Sequence, residues 1–159
     1  MLRSRKSLME IALYQPDIAP NAATIIRMAA CFALPVRIIE PAGFHWSDSS
    51  LRRAGMDYLA QAEVRRDRSW DAFRADTAGR RLVLVTTRAT LPYTQFAFDR
   101  SDILLFGRES AGVPDHVHEA CHARLLIPMR QGFRSLNVAV ACAMVTGEAL
   151  RQTDLLPIP

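Results

Sequence analysis

Five short apolar runs with little polar alternation constrain this chain more than any other feature. Each run is rich in Val, Ile, Leu or Ala and is separated from the next by a segment of helical or loop character. A strand that is apolar on both sides has to be covered on both sides, which is typical of parallel sheets in α/β proteins. The sequence therefore predicts an α/β fold with a mainly parallel sheet covered by helices on both faces. The runs are Glu10 to Tyr14, Val36 to Glu40, Leu82 to Thr87, Ile103 to Phe106 and Arg124 to Met129.

The segments between these runs carry helix signals. Asn21 and Ser135 are residue types that cap helix starts, and Pro35 is expected to end the first helix after Leu34. Val64 to Arg68 is expected to be an edge strand, and Thr90 to Asp102 a loop. The expected helices are 21–34, 51–60, 70–76, 114–120 and 135–152.

A chain of 159 residues, half of them hydrophobic, is expected to form one domain over residues 1–159. Residues 1–8 are expected to be a flexible extension, with Met9 as a possible start. The chain has no apolar run long enough to cross a membrane and no secretion signal, so a cytoplasmic location is expected.

The formal net charge is +4, and arginine dominates the cations. This charge suits a polyanionic partner, although a solvated basic surface would look the same. Cys31, Cys121 and Cys142 form no CxxC pair, and Cys31 and Cys142 are expected to be small core residues in a reducing compartment. The histidines between residues 116 and 122 lack paired metal-ligand spacing, so we expect no metal.

Two glycine-containing segments follow predicted strands. Ile103 to Pro114 ends its strand at Gly107, and Arg124 to Val145 passes from a strand through a polar loop into a helix of small residues. Neither is a Walker loop or a GxGxxG fingerprint. Loops of this kind at the carboxyl ends of parallel strands are where nucleotide-like ligands bind, but they also occur as ordinary connections.

Arginines in two segments are candidate ligand-binding residues. Arg27 lies in a helix that is apolar on almost every side, so it is expected to be buried and to need an anion. Its guanidinium could pair with a carboxylate such as Glu109, reach solvent beyond a packed stem, or contact a substrate phosphate or ribose. Arg52 and Arg53, with Tyr58 nearby, suit RNA contacts or form a solvated face.

Five pieces of the sequence, in order, resemble the SPOUT-class RNA 2′-O-ribose methyltransferases, and in particular the short members that consist of little more than the catalytic domain. Together they span most of residues 10–145, so the resemblance is far more specific than any single motif. The pieces are PDIAPNAATIIR, IIEPAGFHWSDSSLRRAGMDY, LVTTRAT, LLFGRESAGVP and IPMRQGFRSLNVAVA.

The resemblance implies a SPOUT fold with a C-terminal trefoil knot, a homodimer, and S-adenosyl-L-methionine as methyl donor, with S-adenosyl-L-homocysteine as product. It implies methylation of tRNA, expected at a cytidine or uridine in the wobble position of the anticodon loop. By position, Arg27, Asn21 and Ser135 match catalytic residues. Arg52, Arg53 and Tyr58 are expected to contact RNA. The residues expected to bind the donor are Val85, Thr86, Gly107, Glu109, Ile127, Ser135 and Asn137.

The sequence also departs from the family pattern. Ala22 and Ala23 follow Asn21 where the family has a glycine two residues after the asparagine, and this could narrow the approach to the ribose. The alternatives left open are methylation of another tRNA position or of rRNA, an inactive RNA-binding protein of the same fold, and a nucleotide-binding α/β protein of another class.

Overall fold

A single parallel sheet forms the centre of the protein. The computed structural model describes residues 8–47, 49, 53 and 58–159. Within them seven strands pair in the order β3-β2-β1-β6-β4-β7-β5, and every pair is parallel. This confirms the expected parallel α/β architecture, with β3 at one edge. The strands are β1 (Glu10–Tyr14), β2 (Val36–Ile39), β3 (Val64–Asp67), β4 (Leu82–Val85), β5 (Leu91–Pro92), β6 (Ile103–Phe106) and β7 (Ala123–Leu126).

Helices cover both faces of the sheet. The described helices are α1 (Ala19–Cys31), α2 (Trp70–Asp76), α3 (Asp115–Ala120) and α4 (Val138–Thr153). On one face α1 and α4 pack together over the sheet, around residues such as Ile26 and Cys142. On the other face Phe73 of α2 and Val117 of α3 are buried against the sheet. Side chains of the inner strands are therefore buried whichever face of the sheet they point to. This explains why the strands show so little polar alternation.

Two helix starts differ from the prediction. The N-cap of α1 is Ile18 rather than Asn21, because Pro20 occupies the first turn, where its missing N–H costs nothing. The N-cap of α4 is Asn137 rather than Ser135, and its side chain accepts hydrogen bonds from the backbone N–H groups of Ala139 and Val140. Both expected caps therefore lie within three residues of the observed N-cap.

Two burial predictions are wrong. Arg27 is exposed on α1, and the Cζ atom of its guanidinium lies 4.6 Å from the centroid of the Tyr58 ring. Cys31, at the last turn of α1, is exposed, whereas Cys121 and Cys142 are buried as free thiols. Thr24, Arg27 and Cys31 are spaced so that they lie on one exposed face of α1. A helix sequence that is apolar on almost every side does not reveal which face is exposed.

The remaining differences concern a short edge strand and the expected helix over 51–60. Leu91 and Pro92 form a short edge strand beside β7 within what was expected to be a loop. The expected helix over 51–60 lies largely outside the described residues, although Tyr58 and Leu59 are helical. Among the described residues, no helix combines the length and the apolar character needed to cross a membrane.

Candidate functional site

A pocket of about 540 Å³ opens at the carboxyl-terminal edge of the sheet. Its floor is made by Leu84 and Val85 at the end of β4 and by Phe106 at the end of β6. The loops after β6 and β7 form its walls, and the start of α1 closes one side through Ile18 and Asn21. The chain runs from β1 to β2 and β3 on one side of the sheet and builds β4, β5 and β7 on the other. Ligands of open α/β sheets bind where strand order reverses in this way.

The structure brings together most of the site residues expected from sequence. Arg27, Arg53 and Tyr58 do not line this pocket, and Arg52 lies outside the described residues. Residues separated by more than a hundred positions in the chain therefore meet in one cavity. The expected residues that line the pocket are Asn21, Val85, Thr86, Gly107, Glu109, Ile127, Ser135 and Asn137.

The loop after β6 turns back on itself without room for a side chain. Arg108 and Gly112 exchange two backbone hydrogen bonds, of 2.9 Å and 2.8 Å. A Cβ atom on Gly107 would lie 2.6 Å from the carbonyl carbon of Gly112, closer than real Cβ atoms come to backbone. Glycine at 107 therefore allows a tight turn whose backbone faces the pocket directly.

A chain of side-chain hydrogen bonds joins the start of α4, the start of α1 and the loop after β6. The Asn137 Nδ2 donates to Asn21 Oδ1 at 3.0 Å, and Asn21 Nδ2 donates to Glu109 Oε1 at 3.4 Å. Asn137 also caps α4, so the helix start and the amide chain are fixed by one residue. Asn21 is thereby held in one orientation, with a second Nδ2 hydrogen left for a ligand.

The carboxyls of Asp17 and Glu109 lie against each other beside this chain. The backbone N–H of each residue donates to the other's carboxyl, at 3.1 Å and 3.2 Å, and the Ser110 hydroxyl also donates to Asp17. The hydrogen bond from Glu109, opposed by partial burial and reinforced by Ser110, lowers the pKa of Asp17 to about 2. Burial, followed by the hydrogen bond to Asp17, raises the pKa of Glu109. Two adjacent carboxyls resist ionising together, so Glu109 keeps its proton more readily than a free glutamate.

Replacing Asn137 by alanine is expected to lower the free energy of unfolding by about 1 kcal/mol, or about 2–4 °C in melting temperature, because α4 loses its N-cap acceptor. Asn137→Asp is the matched control, since aspartate keeps the acceptor for the helix but cannot donate to Asn21. We expect it to be more stable than Asn137→Ala when both are compared by thermal denaturation. Equal melting temperatures for the two variants would contradict the capping role.

The pocket residues favour binding and positioning over covalent catalysis. None of the described residues that line it is cysteine or histidine, so its hydroxyl groups have no neighbouring base of the usual kind. Ala22 and Ala23 are buried in the core and do not line the pocket. Ala23, which stands where the family has glycine, therefore does not face the cavity.

Several lining or supporting residues were not assigned from sequence. Arg108 and Arg134 line the pocket, and Asp17 orders the loop beneath it. Asp17 follows β1 at the same edge of the sheet as the other loops, which was the one signal that could have revealed it. Arg108 lies 3.7 Å from the Asp17 carboxylate through its Nη2.

Arg53 and Tyr58, two of the residues expected to contact RNA, do not line the cavity. The Tyr58 ring packs against the face of the Arg27 guanidinium. Arg53 is exposed, and its Nη2 lies 3.4 Å from the Ser49 hydroxyl. In the part of the chain that the structure describes, no carboxylate lies within ion-pair distance of Arg27. The alternative of an Arg27–Glu109 salt bridge is therefore wrong. No group of three or more potential metal ligands occurs among those same residues.

Comparison with known proteins identifies a family. The model of the SpoU rRNA Methylase family matches residues 8–147. A relative from Ancylobacter novellus, named tRNA (cytidine(34)-2′-O)-methyltransferase, is 56% identical over 149 residues, which cover 91% of this chain and 93% of the relative.

Solved structures agree with this match. One described as "Structural insights into the 2-OH methylation of C/U34 on tRNA" is 38% identical, with a TM-score of 0.87, and the match covers 91% of this chain and 95% of that one. The SpoU methyltransferase AviRb from Streptomyces viridochromogenes, in complex with the cofactor AdoMet, is 24% identical with a TM-score of 0.80. That match covers 95% of this chain and 62% of AviRb, and it shows likeness of fold alone.

Proposed function

The chain belongs to the SpoU rRNA methylase family, and we propose that it is the enzyme that methylates the ribose 2′-oxygen of cytidine or uridine 34 in tRNA. The observation that carries the proposal is the pocket in which Asn21, Gly107, Glu109 and Ser135 meet. The relatives that bear this activity in their names match nearly the whole chain. Membership of the family also makes the chain a methyltransferase rather than a nucleotide-binding protein of another class.

S-adenosyl-L-methionine is the methyl donor in this proposal, and S-adenosyl-L-homocysteine the product. The pocket fits the donor, since its volume of about 540 Å³ lies in the range of small-molecule sites. Backbone of the Gly107 turn and of Ile127, together with Val85, Thr86 and Asn137, would hold the adenosine and methionine parts. AviRb, which has the same fold, was solved in complex with AdoMet. The donor supplies a methyl group on a positively charged sulfur.

The chain's own residues act by positioning the ribose. Asn21 is fixed between Asn137 and Glu109 and offers a free N–H hydrogen to the sugar. Ser135 lines the same pocket and offers a hydroxyl. Arg27, which lies outside the pocket, holds the phosphate and ribose from the RNA side, because a guanidinium hardly gives up its proton. A phosphate oxygen or water then takes the proton of the 2′-hydroxyl, and alignment supplies most of the rate.

We also propose the trefoil knot of the SPOUT fold at the carboxyl-terminal end. It is supported by the pocket itself, whose walls come from the loops after β6 and β7 wrapped around one cavity. Packing of α4 against both α1 and the sheet would hold the threaded segment in place.

A homodimer is proposed from an exposed apolar stripe on α4. Val140 is 49% exposed and Met144 39%, and the exposed Ala143 and Gly147 lie on the same side of the helix. Positions spaced in this way form one face, and its small residues allow close approach of a second helix. The stripe begins three residues beyond Asn137, so a partner subunit seated on it would lie next to the pocket.

Met144→Glu is expected to weaken the dimer by more than about a hundredfold, because an unpaired charge would be buried in the interface. The fold should persist, since the side chain is exposed within one chain. Sedimentation velocity at micromolar concentration measures the change. Leu91→Glu is the matched control, because Leu91 is 38% exposed but lies on the distant edge strand β5. A monomeric wild-type protein, or a dimeric Met144→Glu variant, would refute the interface.

Methyl transfer to defined tRNA tests the function. The purified protein is incubated with S-adenosyl-L-methionine and unmodified tRNA transcripts, and the products are mapped by nucleoside mass spectrometry. A 2′-O-methyl group at nucleotide 34 is the expected result. A methyl group elsewhere in tRNA or in rRNA would keep the chemistry and change the substrate. Tight RNA binding with no methylation would favour an inactive RNA-binding protein.

A further inference from the structure

A second groove, of about 570 Å³, lies at the carboxyl ends of β2 and β3 and shares no lining residue with the donor pocket. Its floor is the segment after β2, which contains Phe44 and His45, and its far wall is formed by Arg66 and Arg68 of the β3 strand and the turn that follows it. The sheet edge that carries the methylation site therefore carries a second concave surface, formed by different strands.

Arg66 is held as a flat platform beside this groove. Its Nε donates to Glu40 Oε1 at 2.6 Å, its Nη2 donates to the same oxygen, and its Cζ lies 5.1 Å from the centroid of the Trp46 ring. The side chain is nevertheless 51% exposed. One side of the guanidinium plane thus rests on an aromatic ring while much of the group faces solvent. Nucleobases stack on arginine planes of this kind in RNA-binding proteins.

Arg68 supplies positive charge that the described residues do not neutralise. It is exposed, and no carboxylate in the described ranges 8–47 and 58–159 lies within 4.0 Å of it. Most other arginines that the structure describes differ, since Arg37, Arg65 and Arg81 pair with aspartates. The groove holds Arg66, Arg68 and one acidic residue, Glu40, so its net charge is positive with His45 neutral. This charge suits a phosphate.

The groove and the donor pocket lie on either side of a single loop. Gly43 donates its backbone N–H to Pro16 at 2.8 Å, and a Cβ on Gly43 would lie 2.8 Å from the Asp17 Cα. Asp17 in turn hydrogen-bonds to Glu109 and Ser110, which line the pocket. β1 alone separates β2 from β6 in the sheet, a spacing of about 10 Å between the two strands. One RNA strand can span that distance.

We infer that this groove is a subsite for a nucleotide neighbouring the methylated one. Arg68 contacts its phosphate, and the Arg66 guanidinium, backed by Trp46, stacks on its base. The inference rests on the proposed function in taking tRNA as the bound molecule. It adds a specific place on the protein, outside the residues expected from sequence to bind RNA, where the anticodon loop is held.

Equilibrium binding of an unmodified tRNA transcript to the full-length protein tests the subsite. Arg68→Gln is expected to raise the dissociation constant about tenfold and to reduce the slope of log affinity against log salt by about 0.7, one phosphate contact. Arg65→Gln is the matched control. Arg65 lies in β3, three residues before Arg68, and is 58% exposed, but it pairs with Asp76 on the opposite face of the sheet, and we expect less than a twofold change.

Lysine substitutions separate the two contacts. Arg68→Lys should bind tRNA within about threefold of wild type, because a point charge satisfies a phosphate, whereas Arg66→Lys should lose about fivefold by removing the stacking plane. In methyl transfer, Arg68→Gln should raise KM for tRNA about tenfold and leave kcat and binding of S-adenosyl-L-methionine unchanged.

Equal tRNA affinities for Arg68→Gln and Arg65→Gln would overturn the subsite, as would wild-type protein that does not bind tRNA. Wild-type protein that binds tRNA through Arg68 but transfers no methyl group would leave the subsite standing and refute the proposed function. Methyl transfer with an unchanged KM for tRNA in Arg68→Gln would overturn the subsite and leave the proposed function standing.

Discussion

Gly107→Ala is expected to weaken binding of S-adenosyl-L-methionine by about a hundredfold, equivalent to about 2.7 kcal/mol. The new methyl group would lie 2.6 Å from the carbonyl carbon of Gly112 and 2.8 Å from its Cα, and both are backbone atoms. The turn closed by the Arg108–Gly112 hydrogen bonds must open to admit it, and that turn lines the pocket. Overpacking of this kind also costs about 1–3 kcal/mol of stability.

Isothermal titration calorimetry with S-adenosyl-L-methionine and thermal denaturation measure the two effects. Gly79→Ala is the matched control. Gly79 has a positive φ of 82° and nothing within 4 Å of an added Cβ, and it lies outside the pocket. It should therefore lose about 1 kcal/mol of stability through backbone strain and bind the donor normally. Normal donor binding by Gly107→Ala would show that the pocket is not the donor site.

Arg27→Ala is expected to reduce kcat for methyl transfer by about 10² to 10³, because the ribose and phosphate would no longer be held in line with the methyl group. Donor binding should be unchanged, since Arg27 does not line the pocket. The folded state should also persist, because Arg27 is exposed and its described contact is the Tyr58 ring at 4.6 Å.

Single-turnover methylation of saturating tRNA measures this effect without interference from RNA affinity. Tyr58→Phe is the matched control, since phenylalanine keeps the ring beneath the guanidinium and should retain most of the activity. Arg27→Lys should fall between wild type and Arg27→Ala, because it keeps the charge but loses the bidentate geometry. Full activity of Arg27→Ala with normal donor binding would remove Arg27 from the mechanism.

The pocket illustrates how much of a candidate site can be predicted from sequence. Gly107 follows β6, and Ile127 and Asn137 follow β7. These two strands flank β4 in one parallel sheet, and the carboxyl ends of parallel strands meet at one edge. Glu109 was recognised as a polar group in the same place. Its pairing with Asp17, and the raised pKa that results, depend on two loops 92 positions apart meeting in space. No local pattern encodes that meeting.

The sequence is enough to predict the parallel sheet, the helices on both its faces and the edge at which the pocket opens, because buried strands need apolar residues on both sides. Other features depend on how the helices, loops and strands pack together. Arg27 was expected to be buried and is exposed, since an almost uniformly apolar helix pattern cannot show which face of the helix is exposed. Asn137 rather than Ser135 caps α4, and only the folded chain brings its amide next to Asn21, 116 positions away. The Arg66–Arg68 groove exists because β2 and β3 lie side by side, a contact fixed by tertiary structure alone.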